Sequence, residues 1–190
     1  DEAITDYHED ETIAFFRDQK FTDIVVFPGG FPLEKVLTTL SSNAADLHID
    51  IGNEVNELYS LSKLKRKFKT LFVSTSSTVF TQTFNASVKE LVTSSLNSVA
   101  ETVVFKENRG GTRLFSAAKP ESPIFIGAQI RDNLHSVGVG DCFDMVYVSL
   151  SKDNEVTTTL NYASWIAAEY STTFDMDGFL KKVGNVLSLS

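Results

Sequence analysis

The sequence is poor in cysteine, proline and tryptophan. It contains one cysteine, Cys142, with four prolines and one tryptophan among 190 residues. A single cysteine cannot form an internal disulfide, so the fold does not depend on an oxidising compartment. No stretch reaches the roughly 18 to 20 apolar residues that a bilayer span needs, and the first residues form an acidic run instead of a basic and then apolar one. The sequence therefore excludes a disulfide framework and predicts neither a membrane span nor a signal peptide.

Basic residues are the minority among the charged ones. The chain has 17 lysines and arginines against 25 aspartates and glutamates, a formal net charge of −8. A surface of this sign repels polyanions, which argues against nucleic-acid binding. The length and the 42% of hydrophobic residues suffice for one sizeable core. We therefore expect a cytoplasmic protein with no nucleic-acid or membrane partner.

Apolar runs of strand type alternate with helical patterns in the first two thirds of the chain. Leu33, Val36, Leu37 and Leu40 recur with the spacing of one helix face, whereas 46–51 alternates like a strand. The predicted helices are 10–19, 33–40 and 88–96, and the predicted strands are 23–27, 46–51, 71–73 and 102–105, with 113–116 as the return arm of a hairpin. Strands joined by helices pair in parallel through right-handed crossovers. The predicted class is thus α/β, with a doubly wound, mostly parallel sheet flanked by helices.

The last third of the sequence is predicted to be helical. Helices are expected at 142–150, 155–170 and 177–187, forming a layer that closes the fold. The predicted domain spans 23–190, after an acidic N-terminal segment and helix at 1–22.

Eight aromatic residues and Cys142 are assigned to the core. The aromatic residues that lie within apolar segments are Phe15, Phe16, Phe72, Phe80, Phe84, Phe105, Phe125 and Trp165. Cys142 lies at a helix start, where the dipole would lower a thiol pKa. No histidine is adjacent in sequence to activate this thiol, which favours a buried structural role.

One glycine-rich segment carries the most chemical information. In Ser136-Val-Gly-Val-Gly-Asp141 two glycines flank a small residue, and an aspartate follows at the start of an apolar run. Glycine adopts dihedrals closed to other residues, so several N–H groups here can point into the space before the helix. Together with the positive end of the helix dipole they form an anion site suited to phosphate, where Asp141 could accept a proton from an attacking hydroxyl. The pattern is also consistent with an ordinary helix start that has an acid in its first turn.

The same segment resembles the signature of the ribokinase family, the PfkB-type carbohydrate kinases, usually written Asp-Thr-Thr-Gly-Ala-Gly-Asp. Residues 160–168 are similar to the small-residue helix that follows this signature. The segments that resemble the family's successive strands and strand-end loops are 23–30, 47–52, 71–77 and 103–111. The resemblance covers about 23–187 and corresponds to the second, nucleotide-binding part of a typical member. It implies a ribokinase-like fold without the family's N-terminal β-lid.

The resemblance also implies an activity, namely ATP-dependent transfer of phosphate to a hydroxyl of a sugar, nucleoside or similar small alcohol. Asp141 would be the base that takes the proton from the acceptor hydroxyl. The amides of Gly138, Val139 and Gly140 would hold the terminal phosphate as negative charge shifts. The other implied positions are Gly110, Gly111 and Asn161 for the nucleotide and Asp50 for the substrate.

Several positions depart from the family's pattern. Ser74 and Ser77 replace an Asn-x-x-Glu motif that helps to organise magnesium and phosphates, and hydroxyls are poor substitutes for a carboxylate at a hard-cation site. Glu107 replaces the first glycine of a Gly-x-x-Gly loop, which places a negative charge where a polyphosphate would approach. His135 replaces the aspartate of a monovalent-cation site, so potassium activation is not implied. The cofactors that the resemblance implies are ATP and Mg²⁺, but no residue is assigned as a metal ligand, because these departures affect the magnesium site.

The N-terminal part of the family, which includes the lid and most substrate-binding residues, has no counterpart in this sequence. Because the chain starts at Asp1 and its first methionine is Met145, we expect a piece of a longer polypeptide. A missing N-terminal domain or a homo-oligomer would complete the acceptor site. Two functions stay open: a kinase module, or a catalytically degenerate relative that binds a ligand or a partner. An unrelated dinucleotide-binding fold is disfavoured, because no Gly-x-Gly-x-x-Gly follows the first strand.

Overall fold

Helices and strands alternate along the chain and then give way to three consecutive helices. The computed structural model describes residues 9–52, 55, 58–62, 64 and 66–188. The helices are α1 Glu9–Asp18, α2 Leu33–Leu40, α3 Leu58–Ser62, α4 Val88–Ser98, α5 Val139–Leu150, α6 Val156–Tyr170 and α7 Met176–Leu187. The strands are β1 Asp23–Val26, β2 Asp46–Ile51, β3 Phe68–Ser74, β4 Ala100–Lys106, β5 Thr112–Ser116 and β6 Ile124–Ile126. Of the predicted N-terminal segment 1–22, residues 1–8 lie outside the described ranges.

The strands form one mixed six-stranded sheet in the order β1-β2-β3-β4-β5-β6. β1 pairs in parallel with β2, and β2 with β3, while β5 and β6 are antiparallel. The predicted α/β class, with a sheet flanked by helices, is confirmed. The sequence reading missed β6, α3 and a π-helical turn at Val79–Thr83, none of which exceeds five residues. Periodicity needs a longer window than that to distinguish a helix from a strand.

The chain divides into two compact units. The first comprises residues 1–105 and 115–123, and the second comprises 106–114 and 124–190. This division follows internal packing and does not test the predicted domain limits of 23 and 190, which stay a prediction.

The core of the first unit is built on β2 and β3. Leu71, Phe72 and Val73 on β3 are fully buried, and so are Ile49 and Ile51 on β2. Strands that are buried on both faces are near-continuous apolar runs, as in this segment of the sequence. At the start of α4 the Ser87 hydroxyl accepts a hydrogen bond from the Glu90 amide, the first half of a capping box.

Two of the aromatic residues predicted for the core are exposed. Phe15 is 54% exposed and Phe125 is 56% exposed. Phe125 is the middle residue of β6, whose ends face inward while its centre faces outward, as alternation along a strand requires. Phe15 lies on α1 and packs edge-on against Phe16, with ring centroids 5.5 Å apart, so it contributes to a surface cluster.

The second unit is organised around α6. This helix packs against α5, α7 and β6, and its inner face carries Leu160, Ala163, Ile166 and Ala167. Asp175 caps α7 by accepting a hydrogen bond from the Gly178 amide at 2.6 Å. That bond, followed by one from the Thr173 hydroxyl, lowers the pKa of Asp175.

No helix in the described part of the chain is long and apolar enough to cross a bilayer.

Candidate functional site at the N-terminus of α5

The turn that leads into α5 depends on Gly138. This residue is the N-cap and has φ 73° and ψ 2°, a left-handed conformation that favours glycine. The Cys142 amide donates to the Gly138 carbonyl at 2.8 Å and closes the first turn. The amides of Val139, Gly140 and Asp141 therefore have no acceptor within the helix, and no side chain caps them. Unpaired amide donors at the positive end of a helix dipole are groups that can bind an oxyanion.

The predicted base, Asp141, lies in the first turn of α5 and its side chain is exposed. Within the described part of the chain its carboxylate makes no hydrogen bond or ion pair. The carboxylate is thus accessible to a ligand, and no contact with another residue fixes its position. Its role as base stays a prediction, as do the roles of Gly138, Val139 and Gly140.

A buried ion pair lies directly beside this turn. The Lys106 ammonium, at the end of β4, donates to both oxygens of Asp144 at 3.0 and 2.8 Å. The Asp144 side chain is fully buried, and that of Lys106 is 13% exposed. A methyl carbon added to Gly140 would lie 3.5 Å from the Lys106 Nζ, so this ammonium is fixed next to the first turn of α5. The sequence reading missed the pair, although a lone carboxylate within an apolar helical run was a signal for Asp144.

An aromatic cluster lies close to Gly138. The Tyr170 ring meets His135 edge to face, with centroids 5.0 Å apart. His135 in turn lies against Phe174 and forms a 2.8 Å hydrogen bond between its Nε2 and the Thr173 carbonyl. The Leu134 amide also donates to the Ser171 carbonyl, at 2.8 Å. Through His135 and Leu134, the segment before α5 is thus bound to the turn between α6 and α7.

The glycine loop after β4 has a structural reason for its second glycine. Gly111 has φ 101°, and a side chain there would overlap the Ile126 carbonyl of the neighbouring strand β6. Gly110 donates its amide to the Glu107 carbonyl at 2.8 Å. The Glu107 carboxylate accepts a 2.7 Å bond from Arg113, so its negative charge is countered within the hairpin. The nucleotide roles of Gly110 and Gly111 stay predictions.

The two remaining predicted residues are on α6 and on β2. Asn161 is on α6, and its side-chain amide donates to the Thr157 carbonyl at 3.0 Å. Asp50 is on β2 of the first unit and is half-buried. The nucleotide and substrate roles assigned to them stay predictions.

The residues at the expected magnesium position do not fit a magnesium site. Ser77 is buried and accepts a hydrogen bond from the Phe80 amide, and the Ser74 hydroxyl pairs with that of Ser76 at 2.8 Å. Across the described ranges, no three residues among His, Cys, Asp and Glu come together as a metal site. In proteins Mg²⁺ is usually held by one or two carboxylates together with phosphate oxygens and water, and neither serine supplies a carboxylate.

The environment of Cys142 predicts an unreactive thiol. The thiol is half-buried, and burial, followed by the charges of Asp141 and Asp144, raises the pKa of Cys142 to about 11. At pH 8 this lowers the thiolate fraction about a hundredfold relative to an ordinary thiol. We expect iodoacetamide at pH 8 to alkylate Cys142 far more slowly in the native chain than in the same chain in guanidinium. Equal alkylation rates in the two states would show that the native structure does not protect the Cys142 thiol.

Comparisons with known proteins bear on the fold. No protein-family model and no curated protein matches the sequence. Solved structures do match. Ribokinase from Thermotoga maritima aligns with a TM-score of 0.76 at 12% identity, over 98% of this chain and 63% of that one. A protein assigned as a ribokinase II from E. coli, in complex with ATP and Mg²⁺, aligns at 0.72 and 16% identity, over 94% of this chain and 61% of that one.

A plant structure gives the same result. Arabidopsis thaliana ribokinase complexed with ribose and ATP aligns with a TM-score of 0.67 at 16% identity, over 92% of this chain and 59% of that one. The chain thus spans about three fifths of the length of these three structures. At such identities the likeness concerns the backbone. The chain has a ribokinase-like α/β fold.

Proposed function

We propose that the chain is the nucleotide-binding part of a carbohydrate kinase, which transfers phosphate from ATP to a hydroxyl of a sugar or nucleoside-like molecule. The observation that carries the proposal is the uncapped turn at Gly138 in a ribokinase-like fold, with the exposed Asp141 carboxylate beside it. Two solved structures with this fold are described as ATP complexes, one of them with ribose. A small-molecule acceptor, a cytoplasmic location and completion of the site by a further domain or a second copy belong to the same proposal.

The proposed reaction needs two functions from this chain. Asp141 takes the proton from the acceptor hydroxyl, whose oxygen then bonds to the terminal phosphorus of ATP while the bond to the bridging oxygen breaks and ADP leaves. The amides of Val139 and Gly140, which belong to the predicted set, and that of Asp141 donate to the phosphoryl oxygens as charge shifts onto them. Gly138, also predicted, forms the turn as the N-cap. Among the described residues, no three of His, Cys, Asp and Glu come together as a metal site. No step is therefore assigned to a metal held by this chain.

The second candidate is a catalytically degenerate domain that binds a ligand or a partner. It is favoured by Ser74 and Ser77, which stand where the family's magnesium-organising motif is expected. Their hydroxyls form hydrogen bonds to neighbouring residues instead. A degenerate domain of this kind would transfer no phosphate, whether or not it still binds ATP.

The binding site is tested by a substitution in the turn. Alanine at Gly138 would have to adopt φ 73°, and its methyl carbon would lie 3.1 Å from the Tyr170 hydroxyl. The left-handed conformation costs about 1–2 kcal/mol outside glycine, so the turn moves to relieve it. We expect Gly138→Ala to weaken ATP binding about tenfold in calorimetric titration, since 1.4 kcal/mol corresponds to a factor of ten.

Gly184→Ala on α7 is the matched control. A methyl group there meets nothing within 4 Å, so ATP affinity should not change. If the folded wild-type polypeptide binds no ATP, the proposed nucleotide site is refuted. If Gly138→Ala binds as well as the wild type, ATP binds somewhere other than this turn.

A further inference from the structure

One solved structure with this fold is described as a complex with potassium. It is phosphofructokinase-2 from Escherichia coli, which aligns with a TM-score of 0.67 at 13% identity, over 94% of this chain and 60% of that one. In the family that the sequence resembles, the position of His135 belongs to an aspartate of a monovalent-cation site. The bonds of His135 therefore decide whether the residues of this chain fit such a cation.

His135 and its neighbour Leu134 are hydrogen-bond donors to the turn between α6 and α7. Their amides both donate to the Ser171 carbonyl, at 3.3 Å from His135 and 2.8 Å from Leu134. The His135 ring bonds the Thr173 carbonyl at 2.8 Å, and because a carbonyl oxygen only accepts, the Nε2 atom carries the proton. A proton donor thus stands where the family has an oxygen ligand.

An ammonium group binds the middle carbonyl of the same turn. Lys182, on α7, donates to the Thr172 carbonyl at 3.2 Å and also to the Thr172 hydroxyl. That hydroxyl gives its own proton to the backbone carbonyl of Glu169 at 2.8 Å, so its oxygen accepts from the ammonium. A carboxylate oxygen of Glu169 lies 3.9 Å from the same nitrogen. A carbonyl, a hydroxyl and a carboxylate oxygen therefore lie around one positive charge.

The end of α6 favours a positive charge at this point. The helix ends at Tyr170, and the negative end of its dipole attracts a cation there. Lysine side chains bind the last carbonyls of helices in this way. Potassium likewise binds carbonyl oxygens and carries a single charge, as an ammonium does. Each carbonyl at 171–173 already accepts from a protein donor, so these residues do not fit a metal cation.

From these contacts we infer that the chain supplies its own monovalent cation, the Lys182 ammonium, which together with the His135 N–H replaces potassium at the turn between α6 and α7. The segment that leads to Gly138 is thus held in place without a metal ion. The consequence for ATP rests on the proposed function, whereas the role of Lys182 in the turn does not.

The first test compares two salts. The melting temperature and the ATP affinity of the wild-type chain are measured in potassium chloride and in tetramethylammonium chloride at equal ionic strength. Tetramethylammonium donates no hydrogen bond and is too large for a site built for potassium. We expect melting temperatures within about 1 °C of each other. We expect ATP affinities within about twofold. A ligand that binds only the native state stabilises it, so a melting temperature that rises and saturates with potassium would overturn the inference.

The second test removes the ammonium. Lys182→Met keeps much of the apolar stem and leaves the three oxygens without a positive charge. We expect its melting temperature to fall by about 2 °C or more in tetramethylammonium chloride. Potassium chloride should restore part of this loss, because potassium then takes the position of the ammonium. Lys181→Met is the matched control, since Lys181 is the neighbouring residue and is exposed. Its melting temperature should be the same in the two salts.

The outcomes separate the inference from the proposed function. If Lys182→Met responds to the two salts as Lys181→Met does, the ammonium does not act as the cation, and the inference is overturned while the proposed function stands. If the folded wild type binds no ATP in either salt, the proposed function fails. The melting temperatures still test the role of Lys182 in that case, because they do not depend on a nucleotide.

Discussion

Replacing Asp144 by alanine is expected to destabilise the chain by about 3–5 kcal/mol, the usual cost of removing one partner from a buried ion pair. The Asp144 side chain is fully buried, and both of its oxygens accept from the Lys106 ammonium. Alanine removes the carboxylate that accepts both of these bonds, while the ammonium stays largely buried. Urea denaturation of both proteins measures the difference in the free energy of unfolding.

An exposed pair in the first unit provides the control. Lys69 and Glu101 are also 2.8 Å apart, but their side chains are 51% and 55% exposed. Breaking an exposed pair of this kind costs about 1 kcal/mol or less, so Glu101→Gln should be nearly neutral. A double replacement, Lys106→Met with Asp144→Leu, removes both charges and should recover much of the stability. Equal losses for Asp144→Ala and Glu101→Gln would show that the pair beside the turn is not buried in solution.

Asp141→Asn is expected to abolish phosphate transfer in the full polypeptide while leaving ATP affinity within about tenfold of the wild type. A general base contributes about a hundredfold or more to the rate, and asparagine cannot take a proton. The base acts on the chemical step more than on ground-state binding, so the loss appears in kcat and not in the affinity for ATP. The assay follows ADP release with a panel of sugars and nucleosides, alongside calorimetric titration with ATP.

Asp153→Asn is the control for the loss of one negative charge. Asp153 is exposed and belongs to the same unit, just after α5. Transfer at a near wild-type rate in Asp141→Asn would remove the base from the proposed reaction. A wild-type polypeptide that binds ATP but phosphorylates none of the panel would favour the degenerate domain.

The fold was predictable where local pattern and burial agree. α2 and β2 begin and end at the predicted residues, because a helical stripe and a strand alternation are each confined to one short segment. The start of α5 was predicted three residues late, at 142, because its first turn consists of Val139, Gly140 and Asp141 and lacks the apolar stripe. β6 has only three residues and gains its place from pairing with β5, a contact that no local window contains.

The candidate site was predictable only in its contiguous part. The glycines and the carboxylate at 138–141 lie together in the sequence, so a local pattern was enough to single out this turn as a candidate. Lys106 and Tyr170 come to the turn from a strand end and from the end of another helix, through contacts of more than 30 residues in sequence separation. The charge of Glu107 was predicted to face a polyphosphate. The structure shows that Arg113 compensates it, a pairing across the hairpin that a linear reading did not weigh.

The proposed nucleotide site at 138–141 can be tested by titrating the isotope-labelled chain with ATP and following its backbone amide resonances. A nucleotide held at this turn should give its largest shifts at Val139, Gly140 and Asp141, whose N–H groups have no acceptor within α5. Saturable binding of ATP that leaves these three resonances unmoved would contradict it, since the nucleotide would then be held by another part of the molecule.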